Sequence, residues 1–449
     1  MLQGVSAQLV NGGACRGSRA GRSVRKIRLF SFAALPMSTL TAPTRPARRD
    51  AQLIGLVGVA HLTSHFSQLL LAPLFPWLKD AFHASYAELG LLMSIFFVVS
   101  CVVQALSGFV VDRLGPRPVL FAGLTLLGSA AFGFASSHSY WTLALFSVVA
   151  GLGNGVFHPV DYTLLNRKVN PARLGHAFSA HGITGSLGWA LAPALLVPLT
   201  IAYGWRVALM GAAALVFAVL VLLWFNRDQL TLELAPAGHP NGGASAAAGE
   251  RALEFLKIPA VWMCFGFFFL YAMSLSGVQA FAPEAARLLH NVPVSAAAIC
   301  LTVYMLCSAG GMLVGGFLVS DPARCERIIG AGFGVAAIVA LTIGYADIPP
   351  MAVPVLFGVM GFGAGIAGPS RDLIVKRAAP PNATGRVYGV VYSGLDIGQA
   401  VAPLLFGTLM DLHRPAQVWL GIAVVQGMLI VNAFNVRKVR RTSLATAAA

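Results

Sequence analysis

A chain of 449 residues with 57% hydrophobic and 10% charged residues and a mean hydropathy of +0.76 has too few polar groups for a soluble surface of its size. It reads as an integral membrane protein, and an all-α one, because apolar runs of about 20 residues without two-residue alternation form spanning helices and not a barrel. The formal charge of +15 does not argue for a nucleic-acid partner, since residues 1–50 supply nine basic residues against one acid and residues 437–449 supply four more.

Residues 1–50 read as a basic cytoplasmic tail, disordered or partly untranslated. The tail shares an Arg- and Ser-rich, acid-poor composition with transit peptides, and an alternative start at Met37 leaves MSTLTAPTRPARRD as a short lead into the first span. Twelve spans follow, predicted at 52–78, 87–111, 118–135, 141–166, 177–201, 205–225, 259–281, 295–319, 328–346, 351–375, 387–410 and 417–436. They divide into an N-terminal half, 51–225, and a C-terminal half, 258–436, separated by a Pro-, Gly- and Ala-containing cytoplasmic linker, 226–257. Residues 437–449 form a second cytoplasmic tail. Lys and Arg gather on one side, among them Arg113, Arg117, Arg167, Lys168, Arg173, Arg324 and Arg327, whereas the other side carries only Lys79, Arg206, Arg287 and Arg414. The positive-inside rule then places both termini in the cytoplasm of a cell whose plasma (inner) membrane holds the chain.

Several motifs carry nothing. The six cysteines show neither metal nor disulfide spacing, and no metal or cofactor is expected. Asn382 opens an Asn-Ala-Thr sequon on the predicted cytoplasmic side, where glycosylation does not occur. The Gly-x-Gly strings at 151 and 361 lie inside apolar helices with no preceding strand, so they are not nucleotide loops. Absence of a GxxxxGK[ST] loop excludes an ATPase, and no gathered His, Asp and Ser argues for an enzyme.

The chain repeats itself at an offset of 210 residues. Without a gap, Gly151, Gly153, Gly155, Pro159, Arg167, Pro171, Gly175, Gly188 and Pro193 coincide with Gly361, Gly363, Gly365, Pro369, Arg377, Pro381, Gly385, Gly398 and Pro403. A duplicated apolar helix pair in each half is the mark of a transporter built from two related halves.

Polar residues inside spans are costly unless they face partners or water, so each is a functional candidate. His61, His65 and Gln68 share one face of span 1, and Asn154, His158 and Asp161 share one face of span 4. His158 and Asp161 are the leading pair for proton coupling or substrate contact, with His65 next. His61 alone reads more simply as a neutral, hydrogen-bonded imidazole. Asp161 maps onto Arg371 under the repeat, which makes the two a candidate cytoplasmic gate; Arg371 pairing with Asp372 is the competing account. Pro159 and Pro369 each remove an N–H that would bond Gly155 or Gly365, giving hinges at matched depth. Gln104, His181, Gln279, Tyr304, Asp396 and Gln399 are secondary candidates. Lys79, Asp80, Glu284 and Arg287, near the outer ends of helices 1 and 7, could form an outer gate, but read more simply as solvated charges at helix ends.

Between spans 2 and 3 the chain reads GFVVDRLGPRP, and Gly108, Asp112, Arg113, Gly115 and Arg117 resemble the signature loop of the major facilitator superfamily. Its second-half counterpart keeps mainly Gly316, Asp321 and Arg324. The resemblance implies twelve helices in two pseudo-symmetric six-helix halves, a cavity lined by helices 1, 4, 7 and 10, and a monomer. It also implies a latch in which Asp112 reaches the start of helix 11 near Gly385. Within the superfamily, AHLTSHFSQLLLAPLFPWL in helix 1 and GLGNGVFHP in helix 4 are similar to the fosmidomycin-resistance efflux group. GITGSLGWALAP in helix 5 resembles the antiporter motif, but without its Gly-Pro pair. The implied function is secondary active transport by alternating access, as proton-coupled efflux of a drug or metabolite. Uptake of a small organic anion is the alternative, and a non-transporting receptor or scaffold a third. The implied partners are a small-molecule substrate, protons and the bilayer.

Overall fold

The computed structural model describes residues 47–232, 257–318, 324–378 and 384–448, of which 260, 372–378, 384–389 and 436–448 are described in backbone only. Twelve helices are long and apolar enough to cross a membrane: spans 1 to 6 at Ala47–Phe82, Tyr86–Leu114, Pro116–Ala135, Tyr140–Lys168, Pro171–Tyr203 and Trp205–Phe225, and spans 7 to 12 at Val261–Ala280, Val294–Leu318, Cys325–Tyr345, Pro350–Arg371, Val390–Asp411 and Pro415–Asn435. No strand occurs among the described residues. The helix of span 12 continues to Ala448, through the segment expected to be a tail.

Local chemistry sets the ends of several spans. Ser85 and Glu88 form a capping box at the start of span 2, and Ser139 accepts from Thr142 N–H at the start of span 4. Gly115 and Gly204 stand at φ 83° and 88° between consecutive helices, a backbone conformation that side chains disfavour. The signature-loop glycine therefore makes the turn out of span 2. Residues 47–50 do not belong to a disordered tail: Asp50 is buried in span 1 and accepts from Arg173 Nη2 at 2.7 Å and from Asn170 N–H at 3.1 Å. A carboxylate paired in this way is held in the folded helix.

The two halves repeat one pattern of neighbours. Span 1 packs on 5 as 7 packs on 11, span 4 lies against 2 and 3 as 10 lies against 8 and 9, and span 3 meets 6 as 9 meets 12. Spans 2 and 11, and 5 and 8, join the halves. The repeated glycines explain this correspondence. A Cβ on Gly151 or Gly155 would lie 2.6 Å from the Phe96 or Ser100 carbonyl oxygen of span 2, and on Gly361 or Gly365 it would strike the Tyr304 or Ser308 carbonyl of span 8. Gly153 faces Gly123 of span 3, and Gly363 faces Gly332 of span 9. Gly188 abuts the Leu62 carbonyl of span 1, and Gly398 the Phe269 carbonyl of span 7. In lipid, where no hydrophobic force separates helix from tail, such backbone approach is a main source of helix association.

The matched prolines are answered differently. Span 4 breaks at Gly155–Val156 into Tyr140–Asn154 and Phe157–Lys168, placing Pro159 in the first turn of the second piece. Span 10 runs unbroken through Pro369.

Candidate functional site

Three helices of the N-terminal half converge on one buried polar cluster. Span 1 brings His61 and His65, the second piece of span 4 brings His158 and Asp161, and span 5 brings His181. Asp161 is 0% exposed. His181 Nε2 and His61 Nδ1 each lie 3.1 Å from its Oδ2, the first in hydrogen-bond geometry and the second not. The His61 and His181 rings stack with centroids 3.5 Å apart, His65 lies 4.3 Å from His61, and His158 stands edge-on to His61 at 5.2 Å. Room for these rings comes from Gly185, where a Cβ would sit 2.9 Å from His65 Cε1 and 3.1 Å from His61 Nε2. The helix 5 motif thus carries a glycine that the His61 and His65 rings require. Oδ1 of Asp161, Nδ1 of His158 and both nitrogens of His65 have no hydrogen-bond partner. One carboxylate amid four imidazoles offers several buried atoms that can carry a proton.

Gln68 and Asn154, predicted on the same faces, lie outside this cluster. Asn154 accepts from Ser64 Oγ at 2.8 Å and Gln68 Nε2 at 3.4 Å and donates to Ser100 Oγ at 2.8 Å, while Trp189 Nε1 donates to Gln68 Oε1 at 2.9 Å. These bonds tie spans 1, 2, 4 and 5 together, so both amides are helix joiners. Gln104 and Asp396, read singly from the sequence, meet at 3.0 Å between spans 2 and 11. Tyr304, Gln279 and Gln399 are buried, and both amide atoms of Gln279 are without a partner. Arg371 lies over the rings of Tyr271 and Phe268, at 4.5 and 5.2 Å from their centroids. Asp161 and Arg371 therefore have separate surroundings in this conformation. Asp112 and Arg113 are exposed, and Arg117 donates to Thr231 Oγ1 at 3.0 Å, at the start of the linker. The side chains around Gly385, where the latch was expected, and Asp321 of the second loop lie outside the described residues.

The family model described as Major Facilitator Superfamily matches residues 57–403 and, in a second match, 269–443. The chain belongs to the Major Facilitator Superfamily. Its similarity extends to the fosmidomycin resistance protein of Escherichia coli, 23% identical over 313 residues covering 70% of this chain and 76% of that one. A probable L-galactonate transporter of Escherichia coli is 23% identical over 380 residues, 78% of this chain and 82% of its own. In fold the chain is similar to a bacterial homologue of the human lysosomal transporter Spinster, solved in an inward-facing, occupied conformation, with a TM-score of 0.69 at 15% identity over 88% of this chain and 98% of that one. The protein is accordingly a multi-pass membrane transporter of a small solute and not an enzyme.

In this superfamily transporter the halves are bonded together at the end opposite the signature loop. The carboxylate of Asp411, at the end of span 11, accepts the N–H groups of Tyr86 and Ala87 at 2.7 and 2.8 Å, capping the start of span 2 from the other half. Tyr86 Oη donates to Glu284 at 3.0 Å, and Arg287 grips Glu284 through two bonds of 2.7 Å. Glu284 is buried and not a solvated end charge, because the short helix Ala282–His290 turns it inward against span 2. A charge-assisted bond at a helix N-terminus contributes about 1.5–3 kcal/mol. Asp411→Asn is expected to weaken this closure, raising the labelling rate of a cysteine put in place of Ser94, which is buried against the Ala400 carbonyl of span 11, by roughly tenfold. Unchanged labelling would show that Asp411 does not hold the halves together.

Proposed function

We propose that this chain is a proton-coupled exporter of a small organic compound in the plasma membrane, with both termini cytoplasmic, working by alternating access as a monomer. The buried Asp161 cluster is the observation that carries the coupling: a lone carboxylate surrounded by imidazoles on helices 1, 4 and 5 gains or loses a proton without leaving the protein interior. Export is supported by the likeness of helices 1 and 4, and of most of the chain, to a fosmidomycin resistance protein. Uptake of an organic anion is the second reading, favoured by Arg371 among aromatic rings in the opposite half and by the likeness to a probable L-galactonate transporter. Deleting the gene separates them. Export predicts sensitisation to a panel of toxic organic compounds with growth on carboxylate carbon sources intact, and uptake predicts the reverse.

Asp161 and Arg371 form the cytoplasmic gate in the conformation open to the outside. In the present conformation each has other neighbours, the histidines and the pair Tyr271 and Phe268 respectively. Cysteines introduced at both positions are expected to crosslink only when the Asp411 closure is opened, and failure to crosslink in every state removes the gate. The signature-loop residues Gly108, Asp112, Arg113, Gly115 and Arg117 act at the same end; Pro159, just after the break in span 4, serves as its bend, and Pro369, in a span 10 that runs unbroken here, bends only as the two helices come together.

A further inference from the structure

Three imidazoles of the cluster, those of His61, His158 and His181, bring ligand atoms within 4.8 Å of one another. They come from three different helices, so no spacing in the chain announces them. A carboxylate completes the group, since Asp161 Oδ2 is 3.1 Å from His61 Nδ1 and from His181 Nε2. Zinc bonded tetrahedrally at about 2.0–2.1 Å to nitrogen and oxygen sets its ligands roughly 3.3 Å apart. The two contacts to Asp161 already match that edge, and binding would turn the imidazoles, whose ligand atoms spread over as much as 4.8 Å with His61 and His181 stacked, onto one centre. The orphaned atoms agree with this geometry. His61 Nδ1 lies beside the carboxylate without making a hydrogen bond, and Asp161 Oδ1 and His158 Nδ1 have no hydrogen-bond partner. Buried lone pairs left in this way are costly, and a cation placed between them relieves several at once.

Taken together, we infer that His61, His158, His181 and Asp161 form a binding site for a divalent first-row transition-metal ion of the zinc class. Three imidazoles and one carboxylate select such ions over magnesium or calcium, which require oxygen ligands. Access runs past His158, which is partly exposed while the other ligands are buried. His65 packs against the His61 ring, with centroids 4.3 Å apart. Binding requires the nitrogens unprotonated, so zinc and protons compete for one set of atoms. The site requires neither transport direction nor proton coupling, and its test is independent of both.

The full chain, purified without a polyhistidine tag, stripped with a chelator and reconstituted in nanodiscs, is titrated with cobalt(II) as the spectroscopic probe and with zinc(II) by calorimetry. A single saturable site with a tetrahedral cobalt spectrum, displaced by zinc and not by magnesium, is expected. His158→Gln and His181→Gln should each weaken zinc binding by more than about tenfold, the lower bound set by loss of a partner that merely orients a ligand, while the exposed His138→Gln leaves it unchanged. X-ray absorption of the unmutated zinc-loaded chain reads the ligand set directly and does not depend on any variant folding. Six-coordinate cobalt, a zinc shell without imidazole, or binding that survives both core substitutions would overturn the site.

Discussion

Asp161→Asn is expected to cut transport driven by a proton gradient while substrate exchange at equilibrium, counterflow, continues. The carboxylate is fully buried between His181 and His61, and asparagine keeps its shape and its capacity to bond His181. What it loses is the ability to carry a proton or a charge. A buried ionic contact of this kind contributes about 1.5–3 kcal/mol, so gradient-driven transport should fall roughly 10–100-fold. Counterflow needs only the loaded carrier to reorient, and should stay within about twofold of the parent on the same reasoning. Measurement in liposomes with an imposed pH gradient reads both. An unchanged proton-to-substrate ratio would take Asp161 out of the mechanism and leave His158 and His65 as the remaining groups. Asp161→Ala is the less useful variant, because it opens a cavity and leaves the buried His181 ring without its hydrogen-bond partner.

Gly365→Ala is expected to destabilise the C-terminal half by about 1–3 kcal/mol. Its added Cβ would run into the Ser308 carbonyl, which belongs to the backbone of span 8 and cannot rotate aside. Relief requires spans 8 and 10 to separate along a seam that also includes Gly361 against Tyr304, and Gly311 and Gly315 against Phe362 and Ile366. Small-residue seams hold membrane helices by close approach alone, so the loss propagates along the whole contact. Gly310→Ala is the matched control. It lies on span 8, the other helix of that seam, with nothing within 4 Å of the new methyl, and should melt with the parent protein. Thermal unfolding of both variants in detergent compares them, and equal melting would mean that the seam opens freely and does not support the fold.

Much of this site was written into helical phase. His61 and His65 on one face of span 1, and His158 and Asp161 on one face of span 4, do converge. The same faces also misled, because seven residues along a helix cover about 10 Å and pass from one environment into another. Gln68 and Asn154 thus bond to each other and to Ser64, Ser100 and Trp189 rather than joining the histidines. His181 ranked low because nothing in span 5 by itself shows which neighbour it faces. Its importance rests on the packing of span 5 against span 1, which Gly188 allows. Glu284 was hidden for a related reason: an acid just beyond a span looks solvated until a short helix folds it back onto Tyr86.

The sequence by itself determined the class, the twelve spans and the duplication, because lipid imposes length, hydropathy and internally satisfied backbone on every spanning segment. It also marked the glycines and prolines at matched places in the two halves. Only the tertiary structure decided that those glycines are backbone contacts of span 4 on 2 and 3, and of span 10 on 8 and 9. It alone joined Gln104 to Asp396 and Tyr86 to Asp411 across the halves, and gathered four histidines around Asp161. Periodicity orders residues around one helix axis. Which faces meet depends on the rotation and depth of each helix against its neighbours, and those are set by packing among all of them together.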